Sequence, residues 1–184
     1  MAHPQQEEFC KRMRVKYPLY FENCKVLDIG SYDVNGNNRY LFKNATYTGL
    51  DLTEGPNVDI VRPAHLFSAP KASYDFIIST EVFEHDLYWR DSIKNIIRML
   101  KPNGVFLFTC ASTGRAEHGT RRTDVNYSAP PLLAMHEEWQ DYYMNLTQND
   151  IKTVEGFEDA FLFYEFEYNQ SPGDLYFFGV KRGI

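Results

Sequence analysis

Short apolar runs alternate with amphipathic segments along most of the chain. Five of these runs are typical of buried strands: "KVLDIG", "ATYTGLDL", "NVDIV", "SYDFIIST" and "GVFLFTCA". Between the last two runs, an amphipathic helix is predicted by the helical spacing of Trp89, Ile93, Ile96, Ile97 and Leu100. Short apolar strands separated by helices indicate an α/β fold, a doubly wound and mostly parallel sheet that is covered on both faces.

The two ends of the chain add a helix and a hairpin. Phe9, Met13 and Tyr17 share one helical face, and Pro18 ends that helix. At the other end, "DAFLFYEFEY" and "LYFFGVK" flank the turn residues "NQSPGD". This pattern predicts a C-terminal antiparallel hairpin, which would bring the Rossmann-like sheet to seven strands.

Two more helices are predicted between the fifth strand and the hairpin. Apolar residues at helical spacing from Met135 to Leu146 indicate the first of them. Thr147 to Asp150 resembles a capping box that opens a short helix, and Gly156 could end it.

Composition narrows the class of protein. A net charge of −6 gives no general reason for binding nucleic acid or an anionic membrane surface. The polar, acidic start is unlike a signal peptide, and no apolar run approaches the roughly 20 residues that span a bilayer. The three cysteines are far apart and lack metal-ligand spacing, so we expect a reduced, cytoplasmic protein.

Two residues at the ends of the first two strands indicate a nucleotide-like cofactor. Gly30 stands where the first strand must turn, and a glycine there allows backbone to approach a ligand closely. Asp51 ends the second strand 21 residues later, where a carboxylate can accept hydrogen bonds from both hydroxyls of a ribose. Alone, they could be a turn glycine and a helix-capping aspartate; together they predict a ribose site.

Four successive strings carry a family resemblance: "VLDIGS", "YTGLDL", "YDFIISTEVFEH" and "LKPNGVFLFT". In this order and spacing they resemble the motifs of class I S-adenosylmethionine-dependent methyltransferases, over roughly residues 25–110. The strings "GSYDVNGNNRYLF" and "TCASTGRAEHGTRRTD" resemble a subgroup of these enzymes for which no substrate can be named.

The resemblance implies a cofactor site and a division of the chain. It implies one methyltransferase domain, residues 1–184, with an N-terminal helix (1–24), a cofactor-binding core (25–110), a substrate loop (111–135), and helices with the terminal hairpin (136–184). The residues that it implies around S-adenosylmethionine are Asp28, Gly30, Ser31 and Tyr32 near the methionine, Asp51 and Leu52 at the ribose and adenine edge, and Ser79, Thr80 and Glu81 beside the sulfonium.

The sequence departs from the family pattern at two places. Tyr32 and Val34 stand where the glycine-rich loop usually has glycines, and Asp33, with Asn35 and Gly36, could rebuild the turn through side-chain hydrogen bonds. Pro63 stands where the family often has an acid that binds the adenine amino group. Adenine would then depend on backbone groups of Ala64 and His65 and on packing by Leu66 or Phe67.

The segment "EVFEHD" offers a metal site or a pocket wall. If it is helical, Glu81, Glu84 and His85 share one face and could bind Mg²⁺ or Mn²⁺. The pattern resembles the metal-binding segment of ubiquinone-pathway O-methyltransferases and of methyltransferases acting on small-RNA 3′ ends. The same Glu-His pair occurs without metal in many class I enzymes, and this plainer interpretation is favoured.

A polar loop after the fifth strand is the candidate substrate loop. Its Arg115, Arg121 and Arg122 could bind a phosphate or carboxylate, and His118 could act as a base or a further metal ligand. Tyr143 could support this loop. A solvated surface loop is the alternative.

The leading hypothesis is a methyltransferase that modifies an oxygen or nitrogen of a small molecule or glycan, as a monomer or homodimer, with Glu81, His85 and His118 as candidate catalytic residues. Methyl transfer needs mainly an in-line acceptor, so the lack of a nucleophile or triad counts little against an enzyme. Alternatives are a non-catalytic S-adenosylmethionine-binding module and a metal-assisted enzyme acting on RNA ends. A nicotinamide-binding oxidoreductase fits poorly, because only Gly30 of its three expected glycines is present.

Overall fold

The computed structural model describes residues 3–123 and 130–183. The helices of these residues are α1 (Pro4–Lys16), α2 (Trp89–Met99), α3 (Pro130–Leu133), α4 (Glu137–Gln140), α5 (Gln148–Lys152) and α6 (Phe157–Ala160). The strands are β1 (Lys25–Ile29), β2 (Thr46–Asp51), β3 (Ile60–Val61), β4 (Tyr74–Thr80), β5 (Leu100–Ala111), β6 (Phe161–Asn169) and β7 (Asp174–Lys181).

The strands form one seven-stranded sheet in the order β3-β2-β1-β4-β5-β7-β6. The first five run parallel to one another, whereas β7 pairs antiparallel with both β5 and β6. This confirms the α/β, Rossmann-like sheet and the C-terminal hairpin. From β1 the chain continues to β2 on one side, and β4 lies on the other side, so the strand order reverses between β1 and β4. Ligands of open α/β sheets bind at such a point, outside the carboxyl ends of the strands.

Two apolar layers cover the faces of the sheet. Because side chains alternate along a strand, Phe106 and Phe108 of β5 point to the face covered by α2, α5 and α6. Val105 and Leu107 point to the opposite face, which is covered by α1. The sheet is therefore buried on both sides, as the uninterrupted apolar strands predict.

Phe177 of β7 lies at the centre of the larger apolar layer. Its side chain is buried, and its ring centroid lies 4.9 Å from that of Phe166 and 5.1 Å from that of Phe108. We expect Phe177→Ala to lower the free energy of unfolding by about 3–5 kcal/mol, because it removes a buried ring and leaves a cavity. Urea denaturation measures this loss. Leu162→Ala on the neighbouring strand is the control, since Leu162 is 57% exposed and should cost less than about 0.5 kcal/mol.

The structure corrects the single helix predicted from Met135 to Leu146. Only α4 is helical within this range, and the chain from Tyr142 to Leu146 has no regular secondary structure. The cause is backbone pairing at the carboxyl ends of β4 and β5: the Met144 N–H donates to the Glu84 carbonyl in the loop after β4, and the Leu146 N–H donates to the Ala111 carbonyl at the end of β5. The apolar side chains are buried by this crossing segment rather than by one helix face.

Two smaller predictions also change. The strand predicted for "NVDIV" is only Ile60–Val61, since Asn57 adopts a left-handed conformation with φ of 67° and turns the chain just before it. The capping box of Thr147 and Asp150 is confirmed. Gly156, however, does not end α5 but precedes α6, with a φ of 75°.

Candidate cofactor and acceptor site

A cleft opens at the carboxyl ends of β1, β2 and β4, where the strand order reverses. At its β2 end the walls include Asp51, Leu52, Ala64, Leu132 and Trp139. At its β4 end the walls include Gln6, Asn38, Thr80, Glu81 and His85. The sheet topology thus brings residues from distant parts of the chain to one site.

The turn after β1 is shaped for close approach of backbone. Gly30 has a φ of 76°, and a Cβ atom built there would overlap with Cγ2 of Val82, which follows β4. Only glycine fits both the conformation and the space. The Gly30 N–H donates to the Leu50 carbonyl at 2.9 Å, so the turn is fixed to β2.

The loop after Gly30 has no glycine at positions 32 and 34, and its turn is formed by hydrogen bonds to the Asp33 side chain. Oδ1 of Asp33 accepts from the Gly36 N–H at 2.7 Å, and Oδ2 accepts from the Asn37 side chain at 2.8 Å. These bonds are the side-chain turn that the sequence predicts. Tyr32 and Val34 line the cleft beside it.

Asp51 presents a mostly buried carboxylate to the cleft. Its oxygens accept from the N–H groups of Tyr32 at 2.8 Å and Leu52 at 2.7 Å. Burial raises the pKa of this carboxyl, although the two N–H groups oppose the shift. Each oxygen keeps a second lone pair, so the carboxylate can also accept bonds from neighbouring ribose hydroxyls.

The β2 end is covered by residues that differ from the predicted ones. Ala64 lines the cleft, but Leu66 is exposed and Phe67 packs against the core. The cover comes instead from Leu132 and Trp139, which follow β5 by more than twenty positions. They supply an apolar wall for a flat ring.

His65 contributes to this cover indirectly. Its ring stacks on Tyr88 with 4.3 Å between centroids, and the Trp139 ring lies 6.2 Å from it. His65 itself is not among the described residues that line the cleft. It supports the tryptophan rather than forming the wall.

Three other predicted cofactor residues, Asp28, Ser31 and Ser79, are buried below the cleft rather than in its wall. Asp28 accepts a hydrogen bond from the Tyr47 hydroxyl. Burial raises the pKa of Asp28 to about 7. In this structure these side chains support the ends of β1 and β4, and their direct contact with a cofactor stays a prediction.

Glu81 occupies an unusual backbone position directly after β4. Its φ is 56°, and the following residues form turns, so "EVFEHD" is not helical as its metal-site interpretation required. Nε2 of His3 lies 3.5 Å from a Glu81 oxygen and 3.0 Å from Oδ2 of Asp174. Burial opposes ionisation of Glu81, but the interaction with His3 outweighs it and lowers the pKa of this carboxyl.

His3 is held in its cationic form by the same contacts. Burial alone would lower its pKa, yet Asp174 and Glu81 together raise the pKa to about 9. Asp174 is fully buried and also accepts from Arg115 at 3.1 Å. The result is a chain of alternating charges that runs from Glu81 in the cleft to Arg115 behind it.

The predicted metal ligands fall into two groups. Glu84, His85 and His118 have ligand atoms within 4.8 Å of one another, whereas Glu81 groups with His3 and Asp174. Burial, with the nearby charge of Glu81, raises the pKa of Glu84 to about 8. The missing helix explains the division, because only a helix would place all three side chains on one face.

The two histidines of the first group are neutral near pH 7. Burial lowers the pKa of His85 to about 3, and burial also lowers the pKa of His118. His85 lines the cleft, while His118 stands behind it with 5.0 Å between the ring centroids. The Tyr143 ring contacts both, and its hydroxyl donates to the Ala116 carbonyl.

The three arginines of the predicted substrate loop bind acidic groups of the protein itself. Arg121 donates two hydrogen bonds to Asp141, and Arg122 contacts Glu117. Arg115 is paired with Asp174, as described. None of the three is among the described residues that line the cleft. Their proposed contact with an anionic substrate therefore has no support from this geometry.

Sequence patterns missed several wall residues. Gln6, Leu132 and Trp139 carry no motif, and their only signal was apolar or helical spacing, which normally indicates core. Asn38 was also missed, although its side chain donates to the Thr80 hydroxyl at 3.1 Å. A polar residue in the loop after Gly30 is the one signal that could have identified it.

Comparisons with known proteins identify a family and a shared fold. A family model described as a methyltransferase domain matches residues 1–150. A search of curated proteins gave no match. Among solved structures, Burkholderia thailandensis 1,6-didemethyltoxoflavin-N1-methyltransferase, with bound 1,6-didemethyltoxoflavin and S-adenosylhomocysteine, is similar at a TM-score of 0.63 and 16% identity, over 96% of this chain and 78% of that one.

Two further structures share the fold. Haemonchus contortus phosphoethanolamine N-methyltransferase 2, in complex with phosphomonomethylethanolamine and S-adenosylhomocysteine, has a TM-score of 0.65 and 14% identity over 96% of this chain; the match spans about half, 53%, of that one. A putative sarcosine dimethylglycine methyltransferase from Galdieria sulphuraria has a TM-score of 0.60 and 15% identity, over 97% of this chain and 86% of that one.

The seven-stranded sheet, the cleft at its switch point and the family match define one class of protein, the class I S-adenosylmethionine-dependent methyltransferases. The chain belongs to the methyltransferase-domain family. In its described residues there is no helix with the length and apolar character needed to cross a membrane.

Proposed function

We propose that this enzyme transfers the methyl group of S-adenosylmethionine to a nitrogen or oxygen of a small molecule, glycans included. The observation that carries the proposal is the cleft itself, where the Gly30 turn and the Asp51 carboxylate share a wall that Trp139 covers. We propose that the chain acts as a single domain in the cytoplasm, as a monomer or homodimer.

The residues of the cleft fit the parts of this cofactor. Gly30 leaves room for backbone approach to the methionine part, and Asp51 would accept the ribose hydroxyls. Leu52 and Trp139 would enclose the adenine, while the Ala64 N–H, the first of a short 3₁₀ turn, would donate to the ring edge. The missing acid at Pro63 is thus offset by apolar cover.

When bound, the cofactor supplies an electrophilic methyl group on a sulfonium. An acceptor lone pair in the cleft would take this methyl group, with the thioether form of the cofactor as the leaving group. The walls at the β4 end orient the acceptor, and this positioning provides most of the acceleration. His85, neutral and in the wall, can accept a hydrogen bond that orients a hydroxyl acceptor, but its lowered pKa makes it a weak base.

Isothermal titration calorimetry with S-adenosylmethionine and S-adenosylhomocysteine tests the proposal, together with transfer of a radiolabelled methyl group to fractions of a metabolite extract. We expect both ligands to bind one site per chain and a labelled small-molecule product to form. Absence of binding to either ligand would overturn the proposal. Labelled RNA or protein as the sole product would overturn the substrate class.

A metal-assisted reaction, including one on RNA ends, is the second candidate function. It is favoured by the grouping of Glu84, His85 and His118, since neither Glu84 oxygen has a hydrogen-bond partner in the described residues. One carboxylate and two imidazoles suit Mn²⁺ better than Mg²⁺, which prefers oxygen ligands.

The two candidates differ in their response to chelation. If a metal assists, EDTA should lower the rate of methyl transfer by about tenfold or more, and added Mn²⁺ should restore it. Glu84→Gln should have the same effect, with Glu117→Gln in the exposed loop as the matched control. A rate that EDTA and Glu84→Gln both leave unchanged would remove this candidate.

A further inference from the structure

Three buried acceptor oxygens at the β4 end receive no hydrogen bond of good geometry from the described residues, although Nε2 of His3 lies 3.5 Å from one of them. They are Oε1 of Gln6 and both carboxylate oxygens of Glu81, none of which has a hydrogen-bond partner in the described part of the chain. Gln6 is 1% exposed and Glu81 is 5% exposed, and both residues line the cleft. A buried acceptor without a donor is destabilising, so a bound ligand that supplies donors would be favoured there.

His3 lies between the two residues that carry these oxygens. Its Nδ1 lies 3.4 Å from the backbone nitrogen of Gln6 in the first turn of α1, and its Nε2 lies 3.5 Å from Glu81. The same ring therefore fixes both the first turn of α1 and the acidic side chain after β4.

The charged groups around these oxygens leave Glu81 available to a ligand. Arg115 is committed to Asp174, and His3 makes its closer contact, 3.0 Å, with Asp174 rather than with Glu81. Among the described wall residues the only arginine or lysine is Arg62, which follows β3 at the opposite end of the cleft. The β4 end thus offers acceptor oxygens and a carboxylate, and the cation beside them, His3, is shared between Asp174 and Glu81.

We propose that Gln6 and Glu81 form a binding site for an ammonium group at the β4 end of the cleft. An ammonium carries three N–H donors and a positive charge, which matches three unpaired oxygens of which two belong to a carboxylate; a hydroxyl brings a single donor. The inference rests on the proposed methyl transfer, which has two sources of such a group. One is the amino-acid part of the cofactor, and the other is an amine acceptor.

Calorimetry distinguishes the first source. Gln6→Leu removes the acceptor oxygen at similar volume, and Glu81→Gln removes the charge; Glu8→Gln on the exposed side of α1 is the control for net charge. If the cofactor supplies the ammonium, the two site variants bind S-adenosylhomocysteine about tenfold or more weakly. Their affinity for 5′-methylthioadenosine, which lacks the amino-acid part, should stay within about twofold of the wild-type affinity.

Ligand-observed NMR tests the second source on protein saturated with S-adenosylhomocysteine. Benzylammonium should bind in preference to benzyl alcohol, and both site variants should lose that preference while the Glu8→Gln control keeps it. Thermal melting confirms that each variant is folded, and Gln6→Glu, which keeps an acceptor oxygen, should retain ammonium binding.

The inference is overturned if the affinity for S-adenosylhomocysteine is unchanged in folded Gln6→Leu and Glu81→Gln and benzylammonium shows no preference. It is also overturned if both variants weaken 5′-methylthioadenosine as much as S-adenosylhomocysteine, because the lost contact would then be with the nucleoside. If the wild-type protein binds neither S-adenosylhomocysteine nor 5′-methylthioadenosine, the proposed function itself is contradicted. That result differs from a failure of the ammonium site alone.

Discussion

Replacing Gly30 with valine should abolish measurable binding of S-adenosylhomocysteine. The residue adopts a φ of 76°, and Cγ2 of Val82 occupies the space that a side chain at position 30 would need. A branched side chain must therefore either displace Val82 from the cleft wall or flatten the turn after β1. Both responses move backbone that would contact the methionine part of the cofactor. Calorimetry with S-adenosylhomocysteine measures the loss.

Gly156→Val is the matched control for this substitution. Gly156 has nearly the same φ, 75°, but a Cβ atom built there meets nothing within 4 Å. It should therefore show the cost of backbone strain, about 1 kcal/mol of stability, without any effect on binding. Gly30→Ala helps to separate backbone strain from the clash with Val82, because alanine adds only the Cβ atom. If folded Gly30→Val binds within twofold of wild type, this interpretation of the turn is wrong.

Replacing Asp51 with alanine should weaken S-adenosylhomocysteine binding by about 10- to 100-fold. Hydrogen bonds to a charged group contribute about 1.5–3 kcal/mol each, and about 1.4 kcal/mol corresponds to a tenfold change in affinity. The carboxylate also holds the N–H groups of Tyr32 and Leu52, so its loss loosens the loop after Gly30. Asp51→Asn keeps one acceptor and the shape, and it should lose less affinity than alanine.

Asp59→Asn provides the comparison for Asp51. Asp59 is half exposed, accepts from the Gly49 N–H at 2.7 Å and is absent from the described walls of the cleft. Its loss removes a carboxylate near the same strand, so any general effect of charge would appear in both variants. Equal affinities for Asp51→Ala and wild type would contradict the ribose assignment.

The sequence predicts well those features that depend on local pattern. Uninterrupted apolar strands specify burial on both faces, and Gly30 and Asp51 are placed by the ends of β1 and β2, so their positions in the cleft follow from topology. The Asp33 turn was also accessible, because a short side chain bonding to nearby backbone is a local interaction.

The remainder of the site depends on tertiary contacts that no local pattern records. The left-handed conformation of Glu81 is rare for a residue other than glycine, and it separates Glu81 from the Glu84 and His85 that it would otherwise accompany. The helix expected from Met135 to Leu146 is reduced to α4, because backbone pairing of Met144 with Glu84 and of Leu146 with Ala111 outweighed helical spacing.

The cover formed by Trp139 also has a spectroscopic consequence. The chain contains two tryptophans, and Trp89 is buried at the start of α2, outside the described cleft wall. Intrinsic emission that responds to a nucleoside in the cleft should therefore originate from Trp139, and a Trp139→Phe protein should be silent to the same titration. The wild-type enzyme would then report occupancy of its own site in an optical measurement, with no label attached.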